Sequence, residues 1–177
     1  LPPARAPFTG HFPSMSAYHL NVTVHVLAAL FWLGGMFFLA LVGAPVLREL
    51  EDPRLRARLF AALGRRFRTT GWWAIGVLVV TGTLNLHFRG MLRLEVLGDP
   101  VFWSGDYGTA LAWKLGGVTA MIVVSAVHDF VLGPRASADG GGRRGGRSRK
   151  LASWLARLNA LLGIAVVVAA VYLARGG

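Results

Sequence analysis

The sequence predicts an all-α fold, an antiparallel bundle of four membrane-spanning helices, and three observations carry that prediction. Apolar residues make up 54% of the 177-residue chain. They gather into four runs close to the ~20 residues that a helix needs to cross the ~30 Å hydrocarbon core. The basic residues, which bring the net charge to +11, fall in two blocks, Arg48 to Arg68 and Arg135 to Lys150, each lying between apolar runs. Finally, there is no cysteine, which removes disulfides, thiolate ligands and Cys-attached haem from consideration.

Positive residues collect on the cytoplasmic side of membrane proteins. The two blocks therefore predict cytoplasmic loops, with both chain termini on the outer side of a bacterial plasma (inner) membrane. The bilayer is then the principal partner. No nucleic-acid partner is expected, because the charge forms neither a groove nor a stripe.

Residues 1–14 are Pro-rich without helical period and read as an extended outer arm. The chain starts without an initiator methionine, which leaves a processed precursor open. The first span, about 19–47, carries His25 in apolar sequence, and lipid offers no partner for its ring nitrogens, so its face must turn inward. On that face lie Ala28, Ala29, Trp32, Gly35 and Met36. From Pro53 to Arg68, Leu55, Leu59, Leu63 and Phe67 recur every four residues among arginines. That pattern predicts an amphipathic interfacial helix between spans one and two.

The second span, about 69–88, is dotted with glycines suited to close packing and ends on Asn85, His87 and then Arg89. The acidic link from Arg89 to Gly108 belongs outside. In the third span, about 108–132, Lys114, Gly117, Val118, Met121, Ser125 and His128 share a stripe that should face the bundle. His128 with Asp129 reads either as a proton relay or as an interfacial polar pair. The segment 134–150 has the composition of a flexible cytoplasmic linker. The fourth span, about 151–173, reads as a packing helix within what is otherwise a single membrane domain.

Antiparallel order places His25, His87 and Lys114 at nearly one depth near the outer face. Two imidazoles across a bundle suit a haem b, with His25 and His87 as axial ligands of the iron, Lys114 and Arg89 balancing propionate charge, and Trp32 and Phe38 near the ring edges. The work of such a site would be membrane electron transfer or a haem-linked oxidation, making the chain a haem-dependent oxidoreductase with a redox protein or larger membrane complex as partner. His87 and Arg89 are otherwise headgroup contacts. Copper is the alternative cofactor, since imidazole and thioether suit Cu(I). His11, Met15, His19, His25, His87 and Met91 would stand near the surface, with Met36 and Met121 deeper. A third alternative is a small assembly subunit whose Gly-rich faces serve partner helices, with homo-oligomerisation open. No Ser-His-Asp set, paired intramembrane carboxylates or phosphate loop is present.

The pattern H-x6-W-x-GG-x-x-F from His25 to Phe38, followed by Pro45, RRF at Arg65 to Phe67, TG-x-x-N at Thr81 to Asn85 and YG-x5-K at Tyr107 to Lys114, resembles the copper-resistance protein D (CopD) family. That family is a group of polytopic inner-membrane proteins tied to copper uptake or tolerance, and it looks like a relative of the HemJ-type four-helix haem proteins. The resemblance implies functional roles for His25, Trp32 and Lys114, which match the HemJ-type histidine, tryptophan and lysine. Gly34, Gly35, Met36 and Pro45 are more similar to the copper-resistance group.

Overall fold

The computed structural model describes residues 16–132 and 143–175. It is helical throughout, with no strand among the described residues. Helix α1 (Ala17–Phe38) begins at Ser16, whose side chain caps the His19 amide. It opens into a π-helical turn over Leu39–Gly43 before closing as α2 (Ala44–Arg48). The cause lies at Pro45, whose ring cannot donate to the ladder and crowds the carbonyl of Leu41 one turn earlier.

Helix α3 (Pro53–Phe88) starts on a strong signal, with Asp52 capping the Arg54 amide at 2.8 Å and proline at the first helical position. It then runs unbroken for 36 residues, about 54 Å at 1.5 Å per residue. The amphipathic segment 53–68 is thus helical as expected but is the arginine-rich end of the second long helix, not a separate element. No proline stands near Thr69, so the change from amphipathic to apolar composition leaves the backbone intact. Helix α3 ends in a Schellman motif: Gly90 adopts φ +69°, and the Met91 and Gly90 amides reach the Leu86 and His87 carbonyls at 3.0 and 2.9 Å.

The connection that follows is not extended. It folds into two short helices, α4 (Leu94–Leu97) and α5 (Pro100–Ser104). Helix α6 (Asp106–Ala126) leaves it so tightly that a Cβ at Gly108 would collide with the Phe102 carbonyl. A second π-helical turn, Val127–Leu132, closes that span. Helix α7 (Arg143–Ala174) supplies the last crossing. Its first turns take in residues 143–150, so that part of the expected linker is helical, while 133–142 lie outside the described residues, as do His11 and Met15.

Four helical segments are long and apolar enough to cross a membrane, Ala17–Arg48, Pro53–Phe88, Asp106–Leu132 and Lys150–Ala174. They pack as two hairpins, α1 against α3 and α6 against α7, with α1 also touching α7. The middle is an apolar layer of Trp32, Ala74, Ile75 and Met121, with Met36, Phe67, Trp72 and Leu162 around it. A second layer, Ala110, Leu111 and Leu173, closes the end where α1 starts. Large apolar residues such as Leu30, Phe38, Trp73 and Val168 point outward, the arrangement expected when lipid rather than water is the solvent. Phe38 therefore lies away from the bundle interior.

Candidate functional site

At the end where α1 starts, four polar side chains from α1 and α3 form one network. Asn21 donates to the Thr81 carbonyl and to Asn85 Oδ1, both at 2.9 Å. One turn further along α1, His25 Nδ1 stands 2.7 Å from Thr81 Oγ1. The direction of that bond follows from the hydroxyl's single proton, which goes to the Val77 carbonyl at 2.6 Å. Thr81 Oγ1 can therefore only accept, so His25 donates from Nδ1 and its Nε2 carries the lone pair. A Cβ built on Gly82 would sit 3.4 Å from His25 Cε1, so α3 packs directly on the imidazole edge.

Lys114 on α6 lies within electrostatic reach of His25, and Arg89 within reach of Lys114. Arg89 itself forms a clasp over this end. Its guanidinium donates to the Tyr18 hydroxyl through Nε and Nη2 and to the Tyr107 hydroxyl through Nη1, each at 3.3 Å. Its carbon also stands 5.9 Å from the Tyr107 ring centroid. The Tyr18 bond pushes the guanidinium pKa further above its ordinary value, against a smaller opposing effect of burial.

His87 does not join this group. Thr81 and Asn85, four residues apart, define the side of α3 that meets α1, and His87 lies about 200° around the helix from Asn85 at ~100° per residue. Its ring is exposed and meets Phe88 edge-on. A haem held between His25 and His87 needs both imidazoles on one iron, and these residues do not fit that arrangement. Trp32 is buried in the middle layer, about 10.5 Å deeper than His25 along α1.

A second polar cluster lies beyond that layer. The buried Asn159 of α7 donates from Nδ2 to Ser125 Oγ at 2.9 Å and to Met36 Sδ at 3.5 Å, and its Oδ1 has no partner among the described residues. Gly163, one turn along α7, has the Met121 methyl 3.2 Å from a built Cβ. Met36 and Met121 therefore approach the same face of α7 on adjacent turns. Asn159 reads in the sequence as part of a packing helix, and its only signal is an amide inside an apolar run. Asn21, Thr81 and Asn85 carry the same signal, each four residues from another polar group.

At the arginine-rich end, Asp129 binds three neighbours. His128 Nδ1 meets Oδ1 at 2.8 Å, Trp72 Nε1 donates to Oδ2 at 3.0 Å, and Arg68 donates to the Asp129 carbonyl at 3.1 Å. The carbonyl belongs to the π-helical turn, whose shifted hydrogen bonding leaves backbone acceptors for such a donor.

Four apolar crossings enclosing an imidazole, a lysine and two thioethers define a polytopic membrane protein with an intramembrane polar site. The chain belongs to the copper resistance protein D family, whose family model matches residues 61–173. The match takes in the motifs at Arg65 to Phe67, Thr81 to Asn85 and Tyr107 to Lys114, extends beyond them through most of α7, and leaves His25 outside it. The chain is also 30% identical, over 149 residues, to an uncharacterized protein of Aquifex aeolicus (strain VF5), covering 84% of this chain and 89% of that one. No solved structure matches.

Proposed function

We propose that the protein handles copper, taking Cu(I) at His25 on the outer side of a bacterial inner membrane and passing it toward the cytoplasmic, arginine-rich end through the thioethers of Met36 and Met121. The observation that carries this reading is the alignment of soft ligands along one path. Neutral imidazole and thioether select Cu(I), and Thr81 leaves Nε2 of His25 as the basic nitrogen. Met121 stands about 10.5 Å below the level of Lys114, and Met36 about 16.5 Å below that of His25, at 1.5 Å per residue. Both reach α7 within one turn of each other.

Lys114 has a defined part in this scheme. A cation beside His25 keeps the site weak, and conduction requires binding strong enough to enter and weak enough to leave. Family membership supports copper as the cargo. The test is metal analysis and a visible spectrum on one purified sample, with copper uptake by cells carrying wild type, His25→Ala or the Met36→Leu, Met121→Leu double variant. Bound copper without a Soret band, and uptake lost in both variants, is expected. A low-spin b-type spectrum with stoichiometric iron would overturn the reading.

A further inference from the structure

Helix α3 is longer than the membrane needs. Counted back from Phe88, about 20 residues at 1.5 Å each reach Thr69 and complete the ~30 Å hydrocarbon core. The unbroken helix then carries Arg65 about 6 Å, Leu59 about 15 Å and Leu55 about 21 Å past that level. The headgroup layer takes up only the first ~5–8 Å of this distance, and a tilt of about 20° shortens it little. A helix that both crossed the bilayer and lay along its surface would have to bend, and α3 has no break between Pro53 and Phe88. Leu55 and Leu59 therefore stand in water.

What stands there is a groove. Leu55, Arg58, Leu59, Ala61, Ala62 and Arg65, all from α3, line a volume of about 430 Å³. The two leucines are 44% and 40% exposed, and apolar side chains held open to water are the surface by which one helix receives another. The alanines leave room between two guanidiniums, because Arg58 and Arg65 are about 10.5 Å apart on nearly the same side of the helix. Arg56 and Arg68 spend hydrogen bonds on the Leu50 and Asp129 carbonyls. Arg58 and Arg65 make neither a side-chain hydrogen bond nor an ion pair among the described residues, so their charge is available to a partner.

We infer that this groove is a docking site for an acidic amphipathic helix of a second protein, whose apolar side chains seat on Leu55, Leu59 and Ala62 while its carboxylates pair with Arg58 and Arg65. Charge and reach decide among the occupants. A second copy of this chain would bring Arg54, Arg56, Arg58, Arg65, Arg66 and Arg68 against the same six, and like charges disfavour that pairing. Within the chain, the segment 133–142, GPRASADGGG, offers one carboxylate, Asp139, and no large apolar residue. A phospholipid can bring a phosphate to Arg65, but its acyl chains belong to the hydrocarbon core and do not reach Leu55, about 21 Å beyond it. An acidic helix satisfies the leucines and the arginines together, as apolar seams with flanking charges do in helix pairs. The inference depends on how α3 sits in the membrane and is independent of the copper reading.

The experiment is photo-crosslinking of the full chain in intact cells of the organism that encodes it. A benzophenone amino acid replaces Leu59 or, as control, Phe60, which lies about 100° round the helix and does not line the groove. Mass spectrometry identifies what is joined. The expected result is an adduct at position 59 with an acidic, amphipathic helical segment of another protein. Its yield should fall about 10-fold in the Arg58→Glu, Arg65→Glu variant and recover when two carboxylates of the mapped segment are exchanged for lysine. Both arginines are exposed, so the melting temperature of the detergent-solubilised variant should match that of wild type. Arg58→Gln, Arg65→Gln, with an intermediate loss, serves if the charge reversal does not fold. An adduct with lipid, with a second copy or with a protein lacking such a helix would overturn the inference. So would no adduct at position 59, or equal yields at the two positions.

Discussion

His25 Nδ1 and Thr81 Oγ1, 56 residues apart in sequence, meet at 2.7 Å between α1 and α3, and this bond decides which nitrogen of the ring is free. Replacing Thr81 by valine keeps the shape and removes the acceptor. Metal affinity at His25 should fall about 10-fold or more, the usual effect of losing an outer-shell partner. Thr81→Ser should retain it. Competition of purified protein with a Cu(I) chelator reads both.

Lys114 sets the opposing charge. Lys114→Leu removes a cation within reach of His25 without adding a ligand and should tighten binding of Ag(I), a closed-shell stand-in for Cu(I), there about 5-fold, on the order of 1 kcal/mol. Uptake should slow at the same time, because release becomes the limiting step. Tighter binding with faster uptake would contradict the role given to Lys114.

The buried Asn159 amide predicts an asymmetry between a single and a double substitution. Ser125→Ala strips its partner and should cost about 1 kcal/mol, in the range of interhelical hydrogen bonds within membranes. Ser125→Ala combined with Asn159→Leu removes both partners together with the Asn159 Oδ1 and should be neutral or stabilising. Unfolding in mixed micelles compares the two.

Helix contact through glycine gives a packing test. A Cβ at Gly117 would stand 2.7 Å from Val166 Cγ2, and one at Gly163 would collide with Leu33, whereas Gly34 and Gly116 have nothing within 4 Å. Gly117→Val and Gly163→Val should each cost about 1–3 kcal/mol by overpacking. Gly34→Ala and Gly116→Ala should leave the melting temperature of the detergent-solubilised protein unchanged or slightly raised.

The spans and their number were legible because length and apolarity alone define a crossing. The depth of the site was legible for the same reason, since helices of known rise in antiparallel order fix which residues share a level. Azimuth was not. His87 and Asn85 differ by only two residues in depth but by about 200° in direction, and only packing shows that Asn85 and Thr81 are the ones turned to α1. The continuity of α3 through Thr69 was hidden because a change in side-chain character does not require a break in the backbone. Asn159 was hidden in α7 because one amide in an apolar run says nothing of its partner.

The pairing of α1 with α3 and of α6 with α7 bears on how the protein is made. Each hairpin is built from segments adjacent in the chain, so the first can fold in the bilayer while the second is still on the ribosome. Among the described residues, what joins them afterwards includes the Arg89 clasp on Tyr107, the contacts of Arg68 and Trp72 with Asp129, the Asn159 contact with Met36, the packing of Leu33 on Gly163 and the shared middle layer. A gene divided within the loop that carries α4 should therefore yield two fragments that find each other in the membrane, the first already holding the Asn21–His25–Thr81–Asn85 network and the second bringing Lys114 to it.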